Sequence, residues 1–394
     1  MQQALLIRLR PAGPWRYGPG DGGSDRVDTL FRSDRVFSAL TVAMRELGFL
    51  EEWLSATAQS SSPSVVFSSM FPLQGDTLFL IPPATVWPPA SNLVNAPNPV
   101  FLSKIRWNAA RFIPVPLIDS LLAGQPVLAE QWLTDPDSNC LLRRDRPNSS
   151  PFRVATRSGA AVDRMLQRSA ATYSAACVEF ASGSGLWTVA RFASEEAETA
   201  WKDRVQAAFR LLCDTGFGGR RSSGWGQAQA PEFQSGHWPG LLFPKVVRRG
   251  TASNGAANFW LLSLYSPAAD DAVDWGAGDY RLTFRNGINT RALRMVAEGS
   301  VLVSHAEPKG VAIDIAADGS AHPVYRSGFA LSLRLPPLEP VESAEPVEQP
   351  STEEAIEAQP CEEAEPAPAP PIAEAAEESP EPSSEPAGDE SDEF

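Results

Sequence analysis

The sequence is poor in the residues that staple, anchor or catalyse. Only four cysteines occur among 394 residues, Cys140, Cys177, Cys213 and Cys361, and none forms a CxxC pair. That spacing argues against a disulfide framework or a zinc site and points to reduced thiols in a cytoplasm. The three histidines, His237, His305 and His322, lie in no HExxH motif and no His-Asp pair, and the sequence has no Gly-x-Ser-x-Gly elbow. No stretch approaches the ~20 apolar residues of a membrane span. The apolar run in MQQALLIRLRP is too short for a signal peptide. The expectation is a soluble, cytoplasmic protein with no catalytic constellation, metal site or cofactor motif.

Basic charge is scarce overall, with a formal net charge of −15, but it is unevenly spread. From Glu339 to Phe394 there are 19 acidic residues and no Lys or Arg, which leaves residues 1–338 with a net of +4. The segment 339–394 is dominated by Glu, Pro, Ala and Ser and lacks the apolar content to offset its ordering entropy. It reads as a disordered acidic tail, either solubilising or competing with nucleic acid for basic surfaces.

Periodicity organises the remainder. Leu5, Ile7 and Leu9 alternate with Arg8 and Arg10 as a strand. Ser33 is placed to cap a helix with Val36, Phe37, Leu40, Ala43, Met44 and Leu47 on one face, ending at Gly48. Residues 177–180 and 186–192 read as a hairpin about Gly183-Ser184-Gly185. Ser194 then caps a helix carrying Trp201, Val205, Ala208, Phe209 and Leu212 on one stripe, which Gly216 ends. The segment WGQAQAPEF, Trp225 to Phe233, supplies a further strand. In order this is β-α-β-β-α-β, the ferredoxin-like arrangement. Residues 51–172 do not fit it and read as a long insertion. Past about Pro231, NFWLLSLY, YRLTFRN, SVLVS, GVAIDIA and the segment around Val324-Tyr325 read as five strands of a second, mostly β unit. The fold class expected is α+β, with two ferredoxin-like domains in tandem: 1–233, holding the insertion, and 234–338, a degenerate copy, followed by the tail.

The strongest candidate site is GFGGRRSSGWG, Gly216 to Gly226. Gly216, Gly218, Gly219, Gly224 and Gly226 permit positive φ and close approach of backbone N–H groups to an anion. Arg220 and Arg221 suit phosphate, Ser222 and Ser223 add hydroxyl donors, and Trp225 offers a face for a base. A Walker A loop is excluded because Trp225 stands where Lys is needed. A dinucleotide fingerprint is excluded because Arg221 stands where the third glycine belongs and the loop follows a helix. A glycine-rich turn with two solvated arginines is the alternative. A second cluster, Arg143, Arg144, Arg146, Arg153, Arg157, Arg164 and Arg168, has only Asp145 and Asp163 to offset it, with Lys104, Arg106, Trp107, Arg111 and Phe112 preceding. That mixture suits a flexible nucleic-acid strand, or a solvated loop. Lys245, Arg248 and Arg249 form a weaker patch. Of the acids near the first helix, Asp34 reads as N-terminal capping and Asp25 and Asp28 as loop residues.

These motifs resemble a known family. The glycine loop resembles that of the RAMP proteins of CRISPR systems. RSDRVFSAL (Arg32–Leu40), FPLQGDTLFLIPP (Phe71–Pro83), RFIPVPL (Arg111–Leu117), VDR (Val162–Arg164), GLWTVARF (Gly185–Phe192), EGSVLV (Glu298–Val303) and HPVYRSGFAL (His322–Leu331) follow the order of the fourth Csm subunit of type III-A effector complexes. Arg35-Val36 departs from that family, which more often has Thr-Leu there. The resemblance implies a Cas-five-like RNA-binding scaffold that holds the 5′ handle of a CRISPR RNA. It implies bridging of the large polymerase-like subunit to a RAMP backbone subunit, and a thumb-like hairpin, from the insertion, that presses on the guide–target RNA duplex. It implies no nuclease activity; the rival reading is a RAMP endoribonuclease acting through Asp25 or Asp28. The sequence has no Gly-Gly-Asp-Asp motif, which sets it apart from the large subunit.

Overall fold

The computed structural model describes residues 2–337 except 19–22, 24, 89–108, 126, 129–130, 146–148, 164, 166–167, 250–254 and 288–289. The acidic tail, Lys104, Arg106, Trp107, Arg146 and Arg164 therefore lie outside the described residues.

Strand β1 (Gln2–Leu9) forms where the alternation of Leu5, Ile7 and Leu9 predicts it, and Leu6 is buried on its other face. A strand covered on both faces belongs in the middle of a sheet, and β1 lies between β10 (Ser184–Phe192) and β11 (Glu232–Trp238). The full order is β11-β1-β10-β3-β4-β5, with β2 (Val65–Phe67) also paired to β10. Here β3 is Phe71–Gln74, β4 Thr77–Leu80 and β5 Ile113–Pro114, and every pairing is antiparallel.

Helix α1 (Ser33–Glu46) buries Val36, Phe37, Leu40, Ala43 and Met44 of the stripe expected from its spacing, while Leu47 falls at the C-cap and is half-buried. The short α2 (Leu50–Ala56) follows it and inserts Trp53, whose ring stacks on Phe37 at 5.7 Å and whose indole N–H donates to Thr41 Oγ1 at 3.0 Å. Within the expected insertion, α3 (Val115–Leu122) follows β5, and β6 (Trp132–Thr134) pairs with β7 (Leu141–Arg143). Strands β8 (Phe152–Asp163) and β9 (Arg168–Phe180) form a long two-stranded hairpin. Helix α4 (Glu195–Thr215) begins at Ser194, whose Oγ accepts from the Ala197 N–H at 3.2 Å, and it packs against α1. The short α5 (Pro244–Arg249) starts on the Asp119 carboxylate of α3, which accepts from the N–H groups of Lys245 and Val246.

Three expectations need correction. The turn at Gly183-Ser184-Gly185 joins β9 to β10, but the two do not pair: β9 pairs along its length with β8, and β10 pairs with β1, β2 and β3. The reason is burial. Eight of the nine residues of β10 are buried, as suits a strand inside the sheet, whereas Thr172, Tyr173 and Ser174 of β9 are exposed. Secondly, residues 51–172 are not wholly inserted, because β2, β3, β4 and β5 are members of the main sheet. Thirdly, β11 starts at Glu232, after Pro231, rather than at Trp225.

Beyond α5 all five expected strands occur. They are β12 (Ala257–Leu261), β14 (Leu282–Arg285), β16 (Val301–Ser304), β17 (Ala312–Asp314) and β18 (Tyr325–Ser327). Strands β13 (Val273–Asp279), β15 (Leu293–Val296) and β19 (Ser332–Arg334) join them. The second sheet has the order β13-β16-β12-β19, while β14-β15 and β17-β18 are separate ladders. Counting along the chain, its strands lie second, third, first, fourth, which is also the order of β3, β10, β1 and β11 in the main sheet. One hydrophobic core runs from Leu5, Phe37 and Trp187 through to Trp260, Phe329 and Leu333.

The N-terminus of α1 ties the two sheets together. Neither Ser33 nor Asp34 caps the helix: the capping position is Arg32, and no side chain caps it. Ser33 Oγ instead accepts from the Leu264 N–H at 2.9 Å, and the Ser33 N–H donates to Ser69 Oγ at 2.8 Å. Asp34 is 2% exposed and holds two arginines. Arg285 donates from Nε and Nη2 at 2.9 and 3.0 Å, and Arg326 from Nη1 at 2.9 Å. Arg32 pairs with Asp28 and with the buried Glu298, which also accepts from Ser69 Oγ. Burial is the largest single influence on the Asp34 pKa and raises it, but the charge and hydrogen bond of Arg285 with the charges of Arg326 and Arg35 together outweigh it. The carboxyl lies below its ordinary value of 3.8.

Removing Asp34 leaves two arginines without their carboxylate, a loss of ~3–5 kcal/mol. Urea denaturation of Asp34→Ala should show that drop with the m-value unchanged. The depressed carboxyl contributes stability that is fully present above pH 3.8 and is lost as the pH falls below it. Wild type should therefore lose stability on acidification in that range more steeply than the variant.

Candidate nucleic-acid interface

The glycine loop is rigid, and its glycines serve the fold first. At Gly218 (φ +76°) a Cβ would meet the Arg16 carbonyl oxygen at 2.3 Å, and at Gly226 (φ +83°) it would meet that of Phe217 at 2.0 Å. Only glycine permits such backbone contact. Most loop amides are consumed internally: Phe217 donates to Gly226 O, Gly219 to Arg16 O, Ser223 to Arg220 O, Gly224 to Arg221 O and Gly226 to Pro14 O. Phe217 anchors the loop, stacked on Trp15 at 5.0 Å and edge-on to Phe31 at 6.0 Å. Gly218, Gly219 and the stretch Arg221–Gly224 are exposed, and the side chains among them belong to the single turn Arg221–Ser223, bracketed by Arg220 and Gly224, both left-handed. The expectation that all five glycines bring N–H groups to an anion thus narrows to this turn.

The two loop arginines differ. Arg221 is exposed. Arg220 has its guanidinium carbon 4.5 Å from the ring centre of Tyr173 on β9 and 5.6 Å from that of Trp225. Tyr173 faces Gly159 across the hairpin, where a Cβ would lie 2.5 Å from the tyrosine ring. Arg220 therefore links the loop to the β8–β9 hairpin, and Trp225, half-buried, already carries a cation against its ring.

The second cluster is less cationic than its residue count implies. Arg153 and Arg157, on β8, both bind Glu179 of β9, which the sequence tally of neighbouring acids left out. Arg143 pairs with Asp145, and Arg144 donates to the Trp132 carbonyl at 3.0 Å. Arg168 lies in β9, and Arg248 and Arg249 in α5. Arg111 donates to Thr29 Oγ1 at 2.8 Å and lies over Phe112, while Lys245 donates to Ser120 and Gln125.

Sequence reasoning missed a groove beside the loop. One cavity of about 360 Å³ lies between α1 and the loop, lined by residues that include Tyr17, Gly218 and Arg221. A second, of about 510 Å³, continues toward Arg285, Thr290 and Arg326. The two share Arg16, Gly18, Arg35 and Ser38. Arg35 is half-buried, donates to the Gly18 carbonyl, and forms no ion pair among the described residues. Burial, then the charge of Arg285, pushes its pKa down to about 10 against the pull of Asp34 and Asp28. The available signal was the Arg-Ser-Asp-Arg string opening α1, read at first only as capping and packing. Asp28 accepts from the Leu30 N–H and pairs with Arg32, whereas Asp25 is exposed. Among the described residues no cluster of three His, Cys, Asp or Glu could hold a metal, Cys140, Cys177 and Cys213 are free and buried, and no helix is long and apolar enough to cross a membrane.

Residues 254–335 match the family model described as the CRISPR Csm4 C-terminal domain. Over that segment the chain is similar to Csm4 proteins. Among solved structures, a chain of the Csm1-Csm4 cassette in complex with cA4 aligns with a TM-score of 0.52 at 19% identity. A chain of the same cassette with pppApA gives 0.52 at 18%, and one of the Csm3-Csm4 subcomplex in the type III-A CRISPR-Cas interference complex gives 0.57 at 15%. Each alignment covers 86% of this chain and 100% of the other, and at these identities the structural likeness is one of fold. No curated protein matches the chain by sequence. Three of the motifs that carry the resemblance meet in space: RSDRVFSAL supplies Arg32 and Asp34, EGSVLV supplies Glu298, and HPVYRSGFAL supplies Arg326.

The Arg220 stack makes a quantitative prediction. A double-mutant cycle of Arg220→Ala and Tyr173→Ala, read by urea denaturation, should give a coupling of about 0.5–1 kcal/mol, and hydrogen exchange along β8–β9 should rise in either single variant.

Proposed function

We propose that this chain is a non-catalytic, RNA-binding scaffold subunit of a type III-A effector complex that holds the 5′ handle of a CRISPR RNA. The observation that carries this reading is the turn Arg221–Ser223: a cation and two hydroxyls, all exposed, on a loop whose backbone is locked by the Pro14–Arg16 segment. A preorganised donor set of this kind suits phosphate and ribose oxygens. Gly216, Gly218, Gly219, Gly224 and Gly226 shape that seat, and Arg220 and Trp225 stack at its edge. The long β8–β9 hairpin, bearing Arg153 and Arg157, is the thumb that would press on the guide–target duplex, with Arg143 and Arg144 at its approach.

The protein partners follow from the relatives. Solved Csm4-containing assemblies include a Csm1-Csm4 cassette and a Csm3-Csm4 subcomplex. By analogy this chain bridges a large polymerase-like subunit to a RAMP backbone subunit. The repeated strand order of the two sheets supports tandem ferredoxin-like domains, the second without the usual helices. A scaffold role also agrees with Asp28, whose carboxylate is engaged by Arg32 and Leu30.

For a single strand each phosphate contact contributes about 0.7 to the slope of log K against log salt. Arg221→Ala should flatten the slope for handle-bearing RNA by about that amount, measured by fluorescence anisotropy over a salt series. An unchanged slope would sink the assignment.

A further inference from the structure

The groove beside the glycine loop is electrostatically incomplete. Arg35 and Arg221 line the first cavity and Arg35, Arg285 and Arg326 the second, and Asp34 is the one acid among the described lining residues. Asp34 is already shared between Arg285 and Arg326. Like charges held this close in a partly desolvated site are costly unless an anion joins them.

Hydrogen bonding is incomplete in the same place. The Tyr17 hydroxyl, in a side chain 2% exposed that lines the first cavity, is buried with no partner. In the second cavity Thr290 Oγ1 and Arg326 Nε are likewise buried and unpartnered. Buried polar groups are nearly always satisfied, so orphaned groups converging on one groove point to a missing ligand. The orphans include a guanidinium N–H and two hydroxyls, and Arg35 brings a guanidinium without a carboxylate; such a set recognises an oxyanion.

We propose that the groove seats a phosphate of an RNA strand at Arg35, between Tyr17 on one side and Arg326 and Thr290 on the other. This site rests on the reading of the glycine loop as an RNA seat and extends it into the second half of the molecule. A strand, rather than a small free anion, fits because the cavity at Arg221 and the cavity at Arg326 share Arg35 as a common wall. Successive phosphates satisfy both ends, which a single ion cannot. Arg35 lines both cavities rather than the packed face of α1.

The test uses the full chain and a single-stranded oligoribonucleotide with a 5′ hydroxyl, with affinity measured over a salt series. Arg35→Thr should flatten the salt slope by about 0.7, as one lost phosphate contact does, while Arg35→Lys keeps it. Arg35→Thr combined with Arg221→Ala should lose the two amounts additively. Tyr17→Phe separates binding from folding. Removing an orphaned hydroxyl should leave the melting temperature of the free protein unchanged or higher, yet weaken RNA binding about tenfold with no change of slope. If Arg35→Thr keeps the wild-type slope while Arg221→Ala flattens it, the loop seat stands and the Arg35 site is wrong. If neither variant alters the slope, the loop reading itself fails. Should Tyr17→Phe destabilise the free protein and leave RNA affinity intact, the hydroxyl is structural and the site is overturned. Inorganic phosphate at matched ionic strength should compete weakly; full displacement would show a free-anion site instead.

Discussion

The buried carboxylate of Asp34 is the constraint on which the molecule turns. It sits in the first turn of α1 and accepts from Arg285 on β14 and Arg326 on β18, residues some 250 and 290 positions away. Burying ions costs several kcal/mol each, and the cost is offset only when geometry is good and the remaining donors are satisfied. The pair therefore fixes one arrangement of the second half against α1. Arg32–Glu298 and Ser33–Leu264 reinforce it from the neighbouring positions, so four consecutive residues, Arg32 to Arg35, set both the docking of the two sheets and one wall of the groove.

The same constraint explains where positive charge is available. Arg285 and Arg326 share one acid, and Arg35 adds a charge that forms no ion pair among the described residues. In the hairpin the reverse holds: Glu179 answers both Arg153 and Arg157, so that a run rich in arginine presents less free charge than its composition suggests.

Helix positions were the most legible feature. The 3.6-residue stripes of α1 and α4 bury the side chains that their spacing singled out, Leu47 at the end of α1 excepted, and the five strands of the second half lie where β-branched and aromatic runs occur. Pairing was less legible. A turn signal at Gly183 marks a reversal of the chain but not which strand will accept its hydrogen bonds, and β10 finds three partners elsewhere. The interior of the glycine loop was not legible, because the contact of Gly218 with Arg16 depends on a segment about two hundred residues away, while Gly226 closes on Phe217 within the loop.

The sequence by itself determined the acidic segment beyond residue 338, the α+β alternation, the apolar stripes and the place of the loop, because each depends on local composition or period. Tertiary structure alone decided that Asp34 is an anchor rather than a cap and that Arg220 stacks while Arg221 faces solvent. It alone placed Tyr17, Arg35, Thr290 and Arg326 along one groove. The physical reason is that charge and hydrogen-bond satisfaction are properties of neighbours in space, and for these residues most of the neighbours lie in the other half of the chain.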